Sequence, residues 1–112
     1  MKTLLIAGAM LALPMTATTA QERSDRFAHS AIERGDYAAA ERQLKREARV
    51  SANRPEVLLN LAAVYAMTQR PDEARALYER VLSIDEVRMA QSADRVAGSH
   101  RIAEVGLAQL GR

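Results

Sequence analysis

Residues 55–82 read PEVLLNLAAVYAMTQRPDEARALYERVL, and two helical patterns of apolar residues lie within them. The first pattern comprises Leu58, Leu61, Ala62 and Tyr65. The second comprises Ala74, Leu77, Tyr78, Val81 and Leu82. Steps of three and four residues place such side chains on one face of an α-helix. Pro71, in the polar segment between the patterns, suits the first turn of a new helix. The stretch therefore predicts two helices joined by a short turn.

The same pattern occurs once more, 34 residues earlier in the chain. The positions that coincide without a gap are Phe27 with Leu61, Ala28 with Ala62, Ala40 with Ala74, Leu44 with Tyr78, and Val50 with Ile84. In this first copy Gly35 and Asp36 provide the break, because glycine ends helices and aspartate caps them. Self-similarity of this length indicates stacked helix pairs. The predicted units are residues 21–54 and 55–88.

The second unit resembles the tetratricopeptide repeat. The matching residues are Leu58-x2-Leu61-Ala62-x2-Tyr65 in the first helix and Ala74-x3-Tyr78 in the second. The first unit keeps the small residues but has Ala31 where the second has its tyrosine, and neither unit ends in the usual proline. Ala62 and Ala74 are small residues of the kind needed where the two helices of a pair cross closely.

The last part of the chain, residues 89–112, does not repeat. Residues 87–93 show no helical pattern and predict a turn or an extended connector. After a break at Gly98 and Ser99, a short amphipathic helix is indicated by Ile102, Ala103, Gly106, Leu107 and Leu110. A stack of repeats needs a terminal helix to cover its last apolar surface. We therefore predict an all-α fold: two antiparallel helix–turn–helix pairs and a C-terminal capping helix.

Residues 1–20 have the layout of a secretory signal peptide. Lys2 precedes an apolar run, Pro14 breaks that run, and small residues continue to Ala20. A membrane anchor is the alternative, but a span needs about 20 apolar residues and this run is about half as long. We expect cleavage between Ala20 and Gln21, export, and a location in the periplasm.

The composition restricts the chemistry that the chain can perform. It has no cysteine, so neither a disulfide nor a lipidated cysteine is available. Its two histidines, His29 and His100, have no zinc-motif spacing, and no phosphate-binding loop or nucleophile motif occurs. Cleavage of the signal peptide would remove Lys2 and leave 15 basic residues beside 14 acidic ones. A net charge so close to zero disfavours nucleic-acid binding. We expect no enzyme activity, no metal, no cofactor and no membrane-spanning helix.

The resemblance implies a concave groove, lined by the first helix of each unit, in which partner peptides lie. The residues expected to line it are Arg26, His29, Ile32, Glu33, Leu59, Asn60, Ala63 and Met67. Some family members hold a peptide's carboxylate with lysines and asparagines. Asn60 matches one such position, but Asp25, Leu59, Glu33 and Met67 stand at the lysine positions, so that clamp is not expected.

Two functions remain open from the sequence. The favoured one is non-catalytic binding of a protein partner, whose identity the sequence does not give. The alternative is a structural or self-associating subunit of an envelope complex, in which the C-terminal helix or a second copy of the chain covers the groove.

The export hypothesis makes a direct prediction: the mature protein begins at Gln21. N-terminal sequencing of the protein from a periplasmic extract checks it. A protein that retains Met1 and stays in the cytoplasmic fraction would contradict it.

Overall fold

The computed structural model describes residues 19–92 and 95–111. Its elements follow the chain as helices α1 (Ala20–Glu33), α2 (Tyr37–Val50), α3 (Pro55–Met67) and α4 (Pro71–Leu82), strands β1 (Arg88–Ser92) and β2 (Arg95–Gly98), and helix α5 (Ser99–Leu110). The predicted all-α fold is therefore confirmed, with one small sheet in addition. Most of the predicted signal peptide, residues 1–18, lies outside the described residues.

The helix boundaries have local causes that the sequence contains. Thr19 caps α1 and forms a capping box with Glu22. Gly35 adopts a φ of 75°, and the Asp36 side chain then accepts a hydrogen bond from the backbone N–H of Ala39. Helices α3 and α4 begin with proline, whose missing N–H costs nothing in the first turn. The two predicted breaks between paired helices thus fall where they were expected.

Two clusters of buried side chains hold the helices together. The first cluster joins α1, α2 and α3 and comprises Ala28, Ala31, Ala40, Leu44, Val57, Leu61 and Val64. The second cluster joins α3, α4 and α5 and comprises Leu58, Leu59, Ala62, Ala74, Tyr78, Val81 and Ala103. The alanines of both clusters are completely buried. Their small size allows the close helix crossings that the repeat pattern predicted.

The segment before α5 is a β-hairpin, where the sequence predicted a turn or an extended connector. The chain is extended there, and β1 and β2 also pair antiparallel. The base of the hairpin is fastened to α5. The backbone N–H of Val87 donates to the Ser99 hydroxyl, and the backbone N–H of Ser99 donates to the Val87 carbonyl. Ser99 is fully buried by these contacts, and Gly98 takes the N-cap position of α5.

Helix α5 closes the second cluster, and it approaches α4 through a glycine. A Cβ atom placed on Gly106 would lie 2.4 Å from Cζ of Tyr78. Only a residue without a side chain therefore lets the ring of Tyr78 approach the helix this closely. Ala103 is fully buried in the same cluster, one turn earlier in α5. The predicted capping role of the last helix agrees with this packing.

Gly106→Ala should destabilise the protein, although alanine normally favours a helix by about 1 kcal/mol over glycine. The added methyl group would overlap the Tyr78 ring, and overpacking of this kind costs about 1–3 kcal/mol. Circular dichroism melts would measure the loss.

Gly111→Ala is the matched control. The backbone of Gly111 is in the right-handed helical region, with a φ of −74°, which alanine adopts readily. A Cβ there would meet no atom closer than 3.7 Å. We expect its melting temperature to stay close to that of the wild type. If both variants melt alike, the contact between α5 and Tyr78 is not as described.

Candidate functional site

A groove of about 400 Å³ opens between α1, α3 and α5. Its lining, which defines "the groove" below, is Asp25, His29, Glu56, Leu59, Asn60, Ala63, Tyr78, Met89 and Ile102. The third wall comes from α5 because this helix packs beside α3 in the way that the first helix of a further repeat would. The groove therefore has three helical walls, although the described residues form two helix pairs of the repeat type.

The structure brings four of the eight predicted groove residues together. These are His29, Leu59, Asn60 and Ala63. The other four predicted residues do not line the groove. Arg26 and Glu33 are exposed, Ile32 packs against the first cluster, and Met67 is 59% exposed near the end of α3.

Leu59 is less accessible than the sequence suggested. It was expected on an open face of α3, yet it is only 5% exposed and belongs to the second cluster with Ala103 of α5. Asn60 and Ala63 remain half-exposed. Leu59 is thus covered within the second cluster, whereas Asn60 and Ala63 stay accessible.

Four lining residues had not been placed in the groove from the sequence: Glu56, Tyr78, Met89 and Ile102. Asp25, one turn before His29 on α1, had been placed at one of the lysine positions of the groove, and it belongs to the lining. Met89 and Ile102 come from the part of the chain that does not repeat, so the repeat comparison offered no position for them. Tyr78 was predicted as a packing residue, and burial raises the pKa of its hydroxyl.

The carboxylates at the groove share a guanidinium. Nη2 of Arg54 lies 3.5 Å from Oδ2 of Asp25, and its Nε lies 4.0 Å from Oε2 of Glu56. A third carboxylate, that of Glu47, lies 4.0 Å from Nη1 of the same arginine. One guanidinium thus lies within 4.0 Å of three carboxylates.

A second cleft lies on the other side of Ile102. It has a volume of about 360 Å³, and its lining includes Arg95 of β2 and Arg101 of α5 together with Tyr78 and Val105. The lining of this cleft thus includes two arginines, whereas the described residues that line the groove include none. None of the predicted groove residues lies in it.

The described residues show no arrangement typical of a metal site. In this part of the chain no three residues among histidine, aspartate and glutamate cluster as metal ligands would. His29 pairs with Glu33 at 3.1 Å on the surface of α1, and Nε2 of His100 lies 2.7 Å from the Ile84 carbonyl oxygen. None of the helices described is long and apolar enough to cross a bilayer.

Comparison with known proteins agrees with the repeat pattern and the helix pairs. Among curated proteins and solved structures, none matches the chain. The family model of the tetratricopeptide repeat matches residues 31–93, which is more than half of the sequence. Proteins of this family typically mediate protein–protein interaction without catalysis. The chain therefore belongs to the tetratricopeptide repeat family.

Proposed function

We propose that the chain is an exported, non-catalytic binding module of the bacterial cell envelope, which holds a peptide or helix of a protein partner in the groove. The general role of the family supports the binding of a protein. The order of charged, apolar and small residues in positions 1–20 supports export to the periplasm. The partner's identity is not part of the proposal.

The open half of the groove is the observation that carries the proposal. Asn60 and Ala63 lie half-exposed on α3, next to the half-buried Ile102 of α5. Ala63 belongs to neither buried cluster, so the packing of the helix pairs does not account for it. A concave surface with an apolar floor and a few polar groups is typical of sites that bind another molecule.

A photo-crosslinking amino acid placed at Asn60 should capture the partner in intact cells. The control position is Arg75, which is exposed on the outer face of α4 and lies outside the groove. We expect a crosslinked species of higher mass from position 60 and none from position 75. Mass spectrometry of that species then identifies the partner.

Circular dichroism of both labelled proteins checks that the substitutions leave the helices intact. Crosslinks from position 75 with none from position 60 would place the binding surface elsewhere and contradict the proposal.

The alternative function, a self-associating structural subunit, also has an observation in its favour. Phe27 is 46% exposed and Val50 is 87% exposed at the end of the stack that α1 and α2 form. The residue that coincides with Phe27 in the second unit, Leu61, is only 5% exposed because α2 covers it. A second copy of the chain could cover Phe27 in the same way.

Light scattering during size-exclusion chromatography separates the two functions. We expect a monomer, since α5 already covers the apolar end that two repeats alone would leave open. A dimer that Phe27→Ser converts to a monomer would favour the structural subunit instead.

A further inference from the structure

The cleft beyond Ile102 combines apolar side chains with the guanidinium groups of two arginines, and we call it the arginine cleft. Its volume is about 360 Å³, and its walls include residues of β2 and α5. Arg95 and Ala97 lie two residues apart in β2 and therefore on one face of that strand. Arg101 and Val105 lie four residues apart on one face of α5. Strand and helix thus bring one arginine each to the same cavity.

The fold itself holds β2 beside α5. The strand continues directly into the helix, with Gly98 at the N-cap position. The two hydrogen bonds between Val87 and Ser99 join the base of the hairpin to the same helix. Groups that are already in position lose less freedom on binding than groups on a mobile segment. The backbone that carries Arg95 is therefore placed for binding by the packing of the domain.

Both guanidinium groups keep hydrogen-bond donors for a ligand. Nη1 of Arg101 lies 3.9 Å from Oε2 of Glu104, which is too long for a hydrogen bond. Among the described residues no group accepts a hydrogen bond from the guanidinium of Arg101 or of Arg95. The described residues that line the cleft include no carboxylate. A guanidinium has five N–H donors in a planar fork that matches the two oxygens of a carboxylate, so the cleft suits a carboxylate that another molecule supplies.

The hydroxyl of Tyr78 adds a further polar group to the cleft. Tyr78 is only 7% exposed, and Cζ, the ring atom that carries the hydroxyl, lies against Gly106 in the cleft lining. Burial raises the pKa of Tyr78, and no described residue forms a hydrogen bond with its hydroxyl. A tyrosine hydroxyl in so buried a position usually has a partner. An oxygen atom of a ligand in the cleft would provide one.

The arginine cleft continues the groove onto the next helix. The residues that each helix buries against the preceding pair have the same three-residue spacing, and they are Leu61 and Val64 in α3 and Ala103 and Gly106 in α5. Counted from these residues, three positions of α5 coincide with predicted groove positions of α3: Arg101 with Leu59, Ile102 with Asn60, and Val105 with Ala63. Ile102 lines both cavities. A segment that lies in the groove and extends over Ile102 therefore reaches the two arginines.

We infer that the arginine cleft binds an aspartate or glutamate of the partner segment, with apolar residues of that segment beside it. The carboxylate accepts hydrogen bonds from Arg95 and Arg101, and the apolar residues lie against Ile102 and Val105. Hydrogen bonds between a guanidinium and a carboxylate are stronger than those between neutral groups and more specific in geometry. This inference rests on the proposed function and adds the chemistry of the partner to it.

A phage library of random heptapeptides tests the inference on the purified protein. Both ends of each heptapeptide are joined to the coat protein, so only a side chain can supply a carboxylate. We expect the selected heptapeptides to share an aspartate or glutamate with apolar residues next to it. Lysine and arginine should be depleted at the position of the acidic residue.

Arg95→Gln combined with Arg101→Gln should remove the preference for an acidic residue and leave the preference for apolar residues. The matched control is Arg75→Gln combined with Arg88→Gln. It also replaces one exposed arginine of a helix and one of the hairpin, but neither Arg75 nor Arg88 lines the cleft or the groove. The control should select the same heptapeptides as the wild type. Circular dichroism melts of both double variants show whether a change in binding reflects loss of the fold.

Fluorescence anisotropy then measures one selected heptapeptide and the same peptide with glutamine in place of its acidic residue. We expect the wild type to bind the acidic form roughly fivefold more tightly, as for an exposed ion pair, and the Arg95/Arg101 variant to bind both forms alike. Raising the salt from about 0.1 M to about 1 M shortens the screening length from about 10 Å to about 3 Å, and the preference should shrink with it.

Each outcome decides the inference. It is overturned when no heptapeptide is selected, when the selected ones lack an acidic residue, or when the preference survives in the Arg95/Arg101 variant. A dimer that this variant converts to a monomer would assign the cleft to a second copy of the chain and overturn the inference as well. The crosslink from position 60 is measured independently in cells, so the proposed function can stand when the inference about the partner's chemistry fails.

Discussion

Helix α3 has almost no polar side, and the rest of the structure is arranged around covering it. Its residues Val57, Leu61 and Val64 belong to the first cluster, whereas Leu58 and Ala62 belong to the second. A helix that is apolar nearly all round is stable in water only when neighbours bury it on most sides. Helices α2 and α4 cover it on two sides, and α5 covers part of a third. The remaining part of that third side is the groove.

The first helix pair differs from the second in its interior, which is polar at three positions where that of the second is apolar. At the shift of 34 residues, Leu58, Leu77 and Val81 coincide with Ser24, Gln43 and Glu47. The three polar residues bond to one another: the Ser24 hydroxyl donates to Oε1 of Glu47, and Nε2 of Gln43 donates to the Ser24 hydroxyl.

Glu47 thus stands, largely buried, where the second pair has a valine, and Arg54 lies beside it. A buried carboxylate needs such a partner. The polar interior of the first pair therefore brings a guanidinium to the point where α1, α2 and α3 meet. Asp25 and Glu56 gather around the same arginine. The grouping of Asp25 and Glu56 at one side of the groove is in this sense linked to packing in the first unit.

The helix pairs could be predicted from the sequence because their signals are local or periodic. Proline at 55 and 71 and the Gly35–Asp36 break mark helix ends by their own backbone chemistry. The turns of the two helix pairs also correspond, since Gln69 lies 34 residues after Gly35. Gln69 has a φ of 63°, the same left-handed conformation as Gly35, although glutamine rarely adopts it. Because glutamine is not a residue type that favours this geometry, the sequence did not predict a left-handed residue in that turn.

The hairpin and the closed end of the groove could not be predicted in this way. The hydrogen bonds between Val87 and Ser99 join the base of the hairpin to α5, and neither strand contains a pattern that predicts the pairing of β1 with β2. The burial of Leu59 depends on how closely α5 approaches α3 and α4. That close approach depends on the absence of a side chain at Gly106, where α5 contacts the ring of Tyr78. A glycine in a helical pattern gives no indication of which ring it will meet.

Helix α5 links the stability of the fold to the binding surface through two adjacent residues. Ala103 is fully buried in the second cluster, whereas Ile102 is half-buried and faces the groove. The groove has its third wall only when α5 is docked, so a molecule that touched Ile102 there would bind only the state with α5 in place. A molecule that binds the folded state alone stabilises it in proportion to the logarithm of its concentration over its Kd. The described residues form two helix pairs, fewer than the roughly three repeats that a stack usually needs, and α5 covers the end of the second pair. A ligand in the groove would therefore add to the stability that the docking of α5 provides.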